Sequence, residues 1–367
     1  MKSKVVRFCL RFLRFWAAFI QVGNPFGKAP ALIPDPDENE KLPVPPDSGN
    51  ELAIWRLSNV LCSGLYGGAV ISAQNRVYKR FTAFPWGTDL HPVLTSPFLG
   101  KRRRSIGKAV FLLTPEAQGN YYHWMVDLLP RLLFVMDNLG DVEERFIILH
   151  SSSRPYELHT LRLLNISQAR VVRIAPSEIV HVKDLVVADY VPCGEMFPEW
   201  KKKLFGRFRR KKLEAVVAKS FGKVYLLRGQ QKVRRIIGEE HLIELLWKKG
   251  FAIIDLQQLS LEEQMESLEN AKIVVAPHGA ALTNLVFCKE GTLVVELRSK
   301  TNPPEHFSEI AKTCNLRFET ISLIPVRNRK KKHLANKENL LLDKQSIEEL
   351  IEKLSVECCN GSNSILK

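Results

Sequence analysis

The chain has 367 residues, enough to bury a core as one large domain or two of ordinary size. Hydrophobic residues make up 45% and charged residues 25%, the balance of a soluble globular protein rather than a fibrous or low-complexity one. The net charge of +15 favours anionic partners (nucleic acid, acidic lipid headgroups or phosphate-bearing substrates) without choosing among them.

In chain order, residues 1–23 read as a basic amphipathic segment. Between Val5 and Ile20, Arg7, Arg11 and Arg14 fall four and three apart along one side of a helix, with Phe8, Phe12, Phe15, Trp16 and Phe19 elsewhere. Such a helix lies on an anionic membrane surface or docks its apolar face on the domain. The arginines inside the apolar region argue against a cleavable signal. No run of 18 apolar residues occurs, so no transmembrane helix is expected. Residues 24–50 hold seven prolines and form a linker or extended arm.

A first domain is expected over 51–220. Mixed strands and turns to about residue 98 and a basic surface run, Lys101 to Arg104, precede a clear alternation. Strands are predicted at 109–113, 146–149, 170–174 and 182–187, and helices at 120–139 and 155–164. A helix at 201–219 carries eight Lys or Arg residues between Lys201 and Lys212, either as a solvated surface or as a membrane contact. A second series, 221–325, predicts strands at 223–228, 251–255, 272–276 and 293–297. Its helices fall at 238–249, 260–270 and 305–313, with Ser260 and Glu263 in a capping-box pattern. Residues 326–367 give a basic loop and a helix near 346–354. Strands alternating with helices mean an α/β fold with parallel sheets covered on both faces, and two series mean two domains.

Two stretches carry chemistry. In Asn120-Tyr-Tyr-His123-Trp-Met-Val-Asp127-Leu-Leu-Pro-Arg131, three polar residues recur every four positions on an otherwise apolar helix, with Asn120 a turn earlier. Facing a cleft, His123 or Asp127 can act as a general base; facing inward, the stripe is a hydrogen-bond network between helix and sheet. In the second stretch, His278-Gly279-Ala280-Ala281-Leu282-Thr283-Asn284 follows a strand and opens a helix-like segment. Small residues there bring backbone N–H groups up to a phosphate, or simply make a tight turn. Arg228 ends one strand, Arg234 and Arg235 follow it, and Glu296 sits on another strand. Ligands of parallel sheets gather beyond strand C-termini, so Arg228, His278 and Glu296 can converge, the cation on a diphosphate and the carboxylate on ribose hydroxyls. Surface charge is the alternative for Arg234 and Arg235.

Other chemistry is poorly supported. Asp35-Pro-Asp37 spells a metal-binding DxD but lies in the proline-rich arm, and no GxGxxG, GxxxxGK[ST] or GxSxG is present. Seven scattered cysteines show no CxxC and no metal-ligand spacing, which fits reduced thiols in the cytosol. Asn165-Ile-Ser167 fits a glycosylation triplet of the kind that arises often by chance. Basic runs without interleaved aromatics give no specific nucleic-acid signal.

The block 120–131 and the longer block 223–297, with Tyr225-Leu-Leu-Arg228, Arg234-Arg235, Leu259 to Gln264 and Ala271 to Phe287, resemble the glycosyltransferase 61 family. The resemblance spans roughly residues 100–320, with Ala281 where many relatives have a second glycine. It implies a GT-B architecture, two Rossmann-like domains facing a cleft with the nucleotide-sugar on the second. It also implies inversion at the anomeric carbon, no metal and no cofactor beyond the donor. Under it Asp127 is the base and His123 orients it or takes its role. Asn120 and Arg131 lie on the acceptor side. Arg228, Arg234, Arg235, His278, Gly279, Ala280, Thr283, Asn284 and Glu296 bind the donor. The partners implied are a nucleotide-sugar and a glycan or lipid-linked acceptor in surface polysaccharide synthesis, with a cytoplasmic setting and peripheral contact with an anionic inner membrane face. A non-catalytic assembly protein retaining the fold and a basic nucleic-acid binder are the rival classes.

Overall fold

A computed structural model of the chain describes residues 31–33, 35–43, 52–82, 90–94, 102–115, 117–189, 201–202, 205–206, 208, 221–229, 234–300, 305–326 and 338–362. The expected basic segment 1–23, much of the arm at 24–50, most of the helix at 201–219 and the loop at 327–337 lie outside these residues. The chain divides into two compact units, Met1–Cys193 and Gly194–Lys367. That division falls ahead of residue 220, where the strand series placed it. Phe205 and Phe208 are buried, and Phe205 packs edge-on against Phe287 of the second unit.

In the first unit, the described strands are β1 (Ala31–Ile33), β2 (Lys41–Leu42), β3 (Ile54–Ser63), β4 (Ala69–Ile71), β5 (Arg76–Tyr78), β6 (Arg102–Phe111), β7 (Phe146–His150), β8 (Val171–Ile174) and β9 (Glu178–Ala188). They form one sheet in the order β1-β5-β4-β3-β9-β6-β7-β8, with β2 on β3. The expected parallel sheet holds for β9-β6-β7-β8 and for the short β1-β5 pair but not throughout, because the long β3 runs antiparallel to β9 from Ile54↔Ala188 to Ser63↔Ile179. The basic run Arg102–Arg104 opens β6. Its alternation of charge with Ser105, Ile106 and Gly107 hid the strand. Trp55, Leu57, Phe111, Val180, Val182 and Leu185 fill the core beneath the sheet. Asp189 ties the edge of this core to the chain before it. It accepts from Ala53 N (3.0 Å), Trp55 Nε1 (2.9 Å) and Arg80 Nη1 (2.9 Å).

Helices connect the parallel strands. α1 (Tyr121–His123), a π turn (Trp124–Leu128) and α2 (Leu129–Asn138) run on from β6 toward β7, and α3 (Pro155–Leu163) joins β7 to β8. Asn165 of the glycosylation triplet takes φ +59° just past α3, the left-handed conformation common after a helix C-terminus.

The second unit holds β10 (Lys223–Leu226), β11 (Ile236–Ile237), α4 (Glu239–Lys248), β12 (Ala252–Ile254), α5 (Leu261–Glu269), β13 (Ile273–Pro277), a 3₁₀ segment (Ala280–Phe287), β14 (Leu293–Ser299), α6 (His306–Thr313), β15 (Arg317–Val326), β16 (Asn339–Leu341) and α7 (Lys344–Ser362). All five residues of β13 and the first five of β14 are buried, the signature of parallel strands covered on both faces. The order is β11-β16-β15-β14-β13-β10-β12, parallel from β12 to β15. Numbered along the chain, its parallel core reads 2-1-3-4-5, so the topological switch lies between β10 and β13. The Ser260–Glu263 capping box is present, with Glu263 N to Ser260 Oγ at 3.2 Å and Ser260 N to Glu263 Oε2 at 2.7 Å. Cys62, Cys288 and Cys314 are buried. No helix among the described residues is long and apolar enough to cross a membrane.

Two buried histidines make the first unit sensitive to acid. His150 Nε2, at the end of β7, lies 2.8 Å from Thr114 O and 3.1 Å from Thr114 N, so either neutral tautomer has a partner. His91 Nδ1 accepts from Val93 N at 3.1 Å. Burial lowers both imidazoles from 6.5 to about 4. The unfolded chain therefore takes up protons that the fold refuses. Stability is full above about pH 6.5 and falls toward pH 4, by on the order of 3 kcal/mol per histidine. Urea midpoints measured across that range should decline with acid, and His150→Gln should flatten the decline.

Candidate functional site

Each sheet carries a histidine–carboxylate pair beyond its parallel strands. In the first unit, Asn120 caps the helix after β6 by accepting Tyr122 N at 3.1 Å. The π turn follows from Pro130. Proline offers no N–H and its ring crowds the carbonyl four residues back, and the wider turn, with Leu129 N bonded to Trp124 O, accommodates both demands. Within that turn His123 Nδ1 meets Asp127 Oδ2 at 2.8 Å. The side chain of Asp127 is 0% exposed and that of His123 9%, so the carboxylate is the inner member. Asp127 Oδ1 is buried without a hydrogen-bond partner. Arg131 is also buried and donates to Ala188 O (2.9 Å) and Leu113 O (3.4 Å), at the ends of β9 and β6. The expected stripe of three is therefore a pair plus an arginine bound to main-chain carbonyls. Trp124 Nε1 bonds Thr160 Oγ1 at 2.9 Å, and Tyr156 packs edge-on against Tyr121 and Trp124, which fixes this helix on α3.

In the second unit the residues gather at the switch point. Arg228 follows β10 and His278 follows β13, and Arg228 Nη1 donates to His278 O. Two glycines shape this approach. A Cβ on Gly279 would lie 2.6 Å from Arg228 Nη1, and Gly229, at φ +59°, would put one 2.7 Å from Asp255 Oδ2. Gln257 Nε2 donates to Arg228 O at 3.4 Å. Burial, and after it the neighbouring Arg234 guanidinium, lower Arg228 to about 10 against the pull of Glu239. Arg234, at φ +55°, is lowered by burial as well. Nε of both arginines is buried without a partner, and neither pairs with a carboxylate among the described residues. Glu239 instead accepts from Tyr225 Oη at 2.8 Å, and its own burial raises it.

His278 Nδ1 meets Glu296 Oε1 at 2.6 Å, and Glu296 Oε2 lies 3.8 Å from Arg298. Again the carboxylate is the inner member, 1% exposed against 11%. Phe307 packs edge-on to the imidazole. Gly279 precedes the 3₁₀ segment that contains Ala280, Thr283 and Asn284. Thr283 Oγ1 is buried and unpartnered, while Asn284 Nδ2 donates to Gln264 Oε1 at 3.1 Å.

Among the sequence candidates, Arg228 with His278 and Gly279 come into contact, Glu296 with His278, and His123 with Asp127. Arg235 stays exposed and gives its main-chain N–H to Asn339. Arg234 is half-buried rather than fully exposed, whereas a surface position had been the alternative for it. Tyr225 and Glu239 entered no sequence candidate set. Their signal was weak, a tyrosine inside an apolar strand and the first acidic residue after Gly238. Asp35 of the DxD pattern is held by Arg80 Nε at 2.6 Å. Among the described residues no group of three or more His, Cys, Asp or Glu side chains has the arrangement to hold a metal.

A model of the family described as Glycosyltransferase 61 matches residues 121–295. A protein O-linked-mannose beta-1,4-N-acetylglucosaminyltransferase 2 of Xenopus laevis is 26% identical over 125 residues, 33% of this chain and 20% of that protein. A beta-1,2-xylosyltransferase of Arabidopsis thaliana is 28% identical over 108 residues, 26% of this chain and 20% of that protein. The chain thus spans about a fifth of the length of these curated relatives.

Two half-buried guanidiniums that repel each other, neither paired with a carboxylate among the described residues, are suited to a multiply charged anion. Inorganic pyrophosphate should raise the unfolding temperature, by the equivalent of about 2.7 kcal/mol at a hundred times its dissociation constant. Arg228→Ala and Arg234→Ala should each weaken that binding about 10- to 100-fold. Wild-type responses in both variants would place the anion elsewhere.

Proposed function

The chain belongs, through residues 121–295, to the glycosyltransferase 61 family, and from that premise we propose that it moves a sugar from a nucleotide-sugar donor to a glycan or lipid-linked glycan acceptor with inversion. The observation that carries this reading is the pair Arg228 and Arg234, two half-buried cations whose Nε atoms are covered and unpartnered and which pair with no carboxylate among the described residues, near the strand ends where α/β sheets bind phosphates. In this reading a nucleoside diphosphate supplies the missing negative charge, and the GT-B arrangement is part of the proposal.

The donor's diphosphate lies against Arg228, Arg234 and the amides that follow His278. His123 takes the proton from an acceptor hydroxyl through Nε2, the ring nitrogen opposite the one that meets Asp127. The acceptor oxygen attacks the anomeric carbon from the face opposite the diphosphate. As that bond forms, the bond from carbon to diphosphate oxygen breaks, and the leaving charge falls on the arginines. A single in-line displacement inverts the anomeric centre. Asp127 accepts Nδ1–H, fixes the tautomer and stabilises the imidazolium as it forms.

This assignment exchanges the roles first expected for Asp127 and His123, because the aspartate lies behind the histidine. Glu296 likewise serves His278 here rather than a ribose hydroxyl, since its Oε1 is engaged by the ring. The positive charge that balances the departing diphosphate comes from side chains in this reading, without a metal. Surface polysaccharide synthesis remains the setting proposed for the acceptor.

Transfer from a panel of nucleotide-sugars should fall about 10²–10⁴-fold in His123→Gln while donor binding stays unchanged. Asp127→Asn should also slow transfer with donor binding retained, because the amide no longer selects the tautomer. A His123→Gln enzyme that transfers sugar at the wild-type rate would remove the histidine from the base role.

A further inference from the structure

Glu239 opens α4, half-buried and close enough to Arg228 to attract it without pairing with it. The start of a helix favours a carboxylate, and that alone accounts for the exposed Glu240 beside it. Glu239 has a further tie. Its Oε1 accepts from Tyr225 Oη at 2.8 Å, and Tyr225 is fully buried in β10. In register Tyr225 lies between Ile253 and Val275, and it belongs to the apolar core of this unit. A phenylalanine would suit such a place, since a buried hydroxyl is costly unless it is hydrogen-bonded. The hydroxyl is explained by the carboxylate it holds.

A carboxylate near two cations acts differently in the empty and the occupied site. While the site is empty, it offsets the repulsion between Arg228 and Arg234. Once a diphosphate neutralises the arginines, the same carboxylate is a like charge and pushes the ligand out. A full ion pair with Arg228 would go too far and compete with the ligand, and the bond from Tyr225 holds the carboxylate back from it. On the reading that Arg228 and Arg234 receive the donor diphosphate, we infer that Glu239 is a resident counter-charge, positioned by Tyr225, that steadies the arginines before the donor binds and loosens the diphosphate product afterwards. Glu239 and Tyr225 act through Arg228 and not on the reacting atoms, so both are positioning residues. A merely structural Glu239 predicts the opposite sign, because its loss would leave Arg228 misplaced and weaken the anion.

The test is calorimetric titration of the full chain with inorganic pyrophosphate at about pH 8, where carboxylates are ionised. Glu239→Gln keeps the shape and an acceptor for Tyr225, and it should tighten binding about three- to tenfold. Glu240→Gln removes an exposed charge and should change binding less than about twofold. Tyr225→Phe frees the carboxylate to reach Arg228 and should weaken binding about threefold, a loss that disappears when Glu239→Gln is added. Melting followed by circular dichroism identifies a variant that fails to fold. Glu239→Ala then replaces Glu239→Gln with the same expectation, and if Tyr225→Phe fails, the sign at residue 239 decides alone. Unchanged or weaker binding in the residue 239 variant overturns the inference, and loss of binding in Arg228→Ala then leaves the donor site standing. A wild-type chain that ignores pyrophosphate removes both.

Discussion

Two half-buried guanidinium groups close enough to repel each other, neither paired with a carboxylate among the described residues, set the terms for the second unit. Removing such charges from water costs free energy, and their mutual repulsion adds to it. The fold meets that cost with particular devices. Strands β10 and β13 bring Arg228 and His278 together at the point where the strand order reverses. Gly279 leaves room for the guanidinium, and His278 O accepts from it. Glu239 adds attraction while spending one oxygen on Tyr225. A half-buried cation that is supported but not neutralised is suited to an anion that arrives and departs.

The two histidine–carboxylate pairs show the same construction by different means. In one the partners are four residues apart within a π turn; in the other they come from a loop and a neighbouring strand, eighteen residues apart. In both, Nδ1 faces the carboxylate and the carboxylate is the more deeply buried member. The inner group orients the ring, and in the proposed reaction Nε2 of His123 is the nitrogen left to take a proton. Such a pair can therefore handle a proton even though its acid is enclosed.

Much of the second unit was legible in the sequence because parallel strands buried on both faces are continuous apolar runs, as in Ile273-Val-Val-Ala276 and Leu293-Val-Val. Glycine-marked turns and the Ser260 capping box bounded its helices. The first unit was harder to read. β3 mixes buried Trp55 and Leu57 with exposed Arg56 and Ser58, and β6 opens on three arginines, so neither gave a clean period. Among site residues, side-chain type pointed to His123, Asp127, Arg228 and His278. Direction was not legible: four-residue spacing placed Arg131 beside His123 and Asp127, but the wider turn before Pro130 and the carbonyls of Leu113 and Ala188 draw it into the core. That Arg234 is half-buried while Arg235 is exposed was hidden for a similar reason, since an Arg-Arg dipeptide does not tell its two members apart.

The position of β9 has a consequence for how the protein is made. The last strand of its unit in chain order, it lies between β3 and β6 and is the link between the part of the sheet built from β1 to β5 and the part built from β6 to β8. Its pairing of Ile54 with Ala188 spans nearly the whole unit. A nascent chain that has emerged only as far as β8 holds two half-sheets with unsatisfied edges, the state in which strands are prone to wrong partners. Closure of the unit waits for residue 188, so its assembly is late and concerted rather than progressive. Shielding during synthesis matters most over that interval.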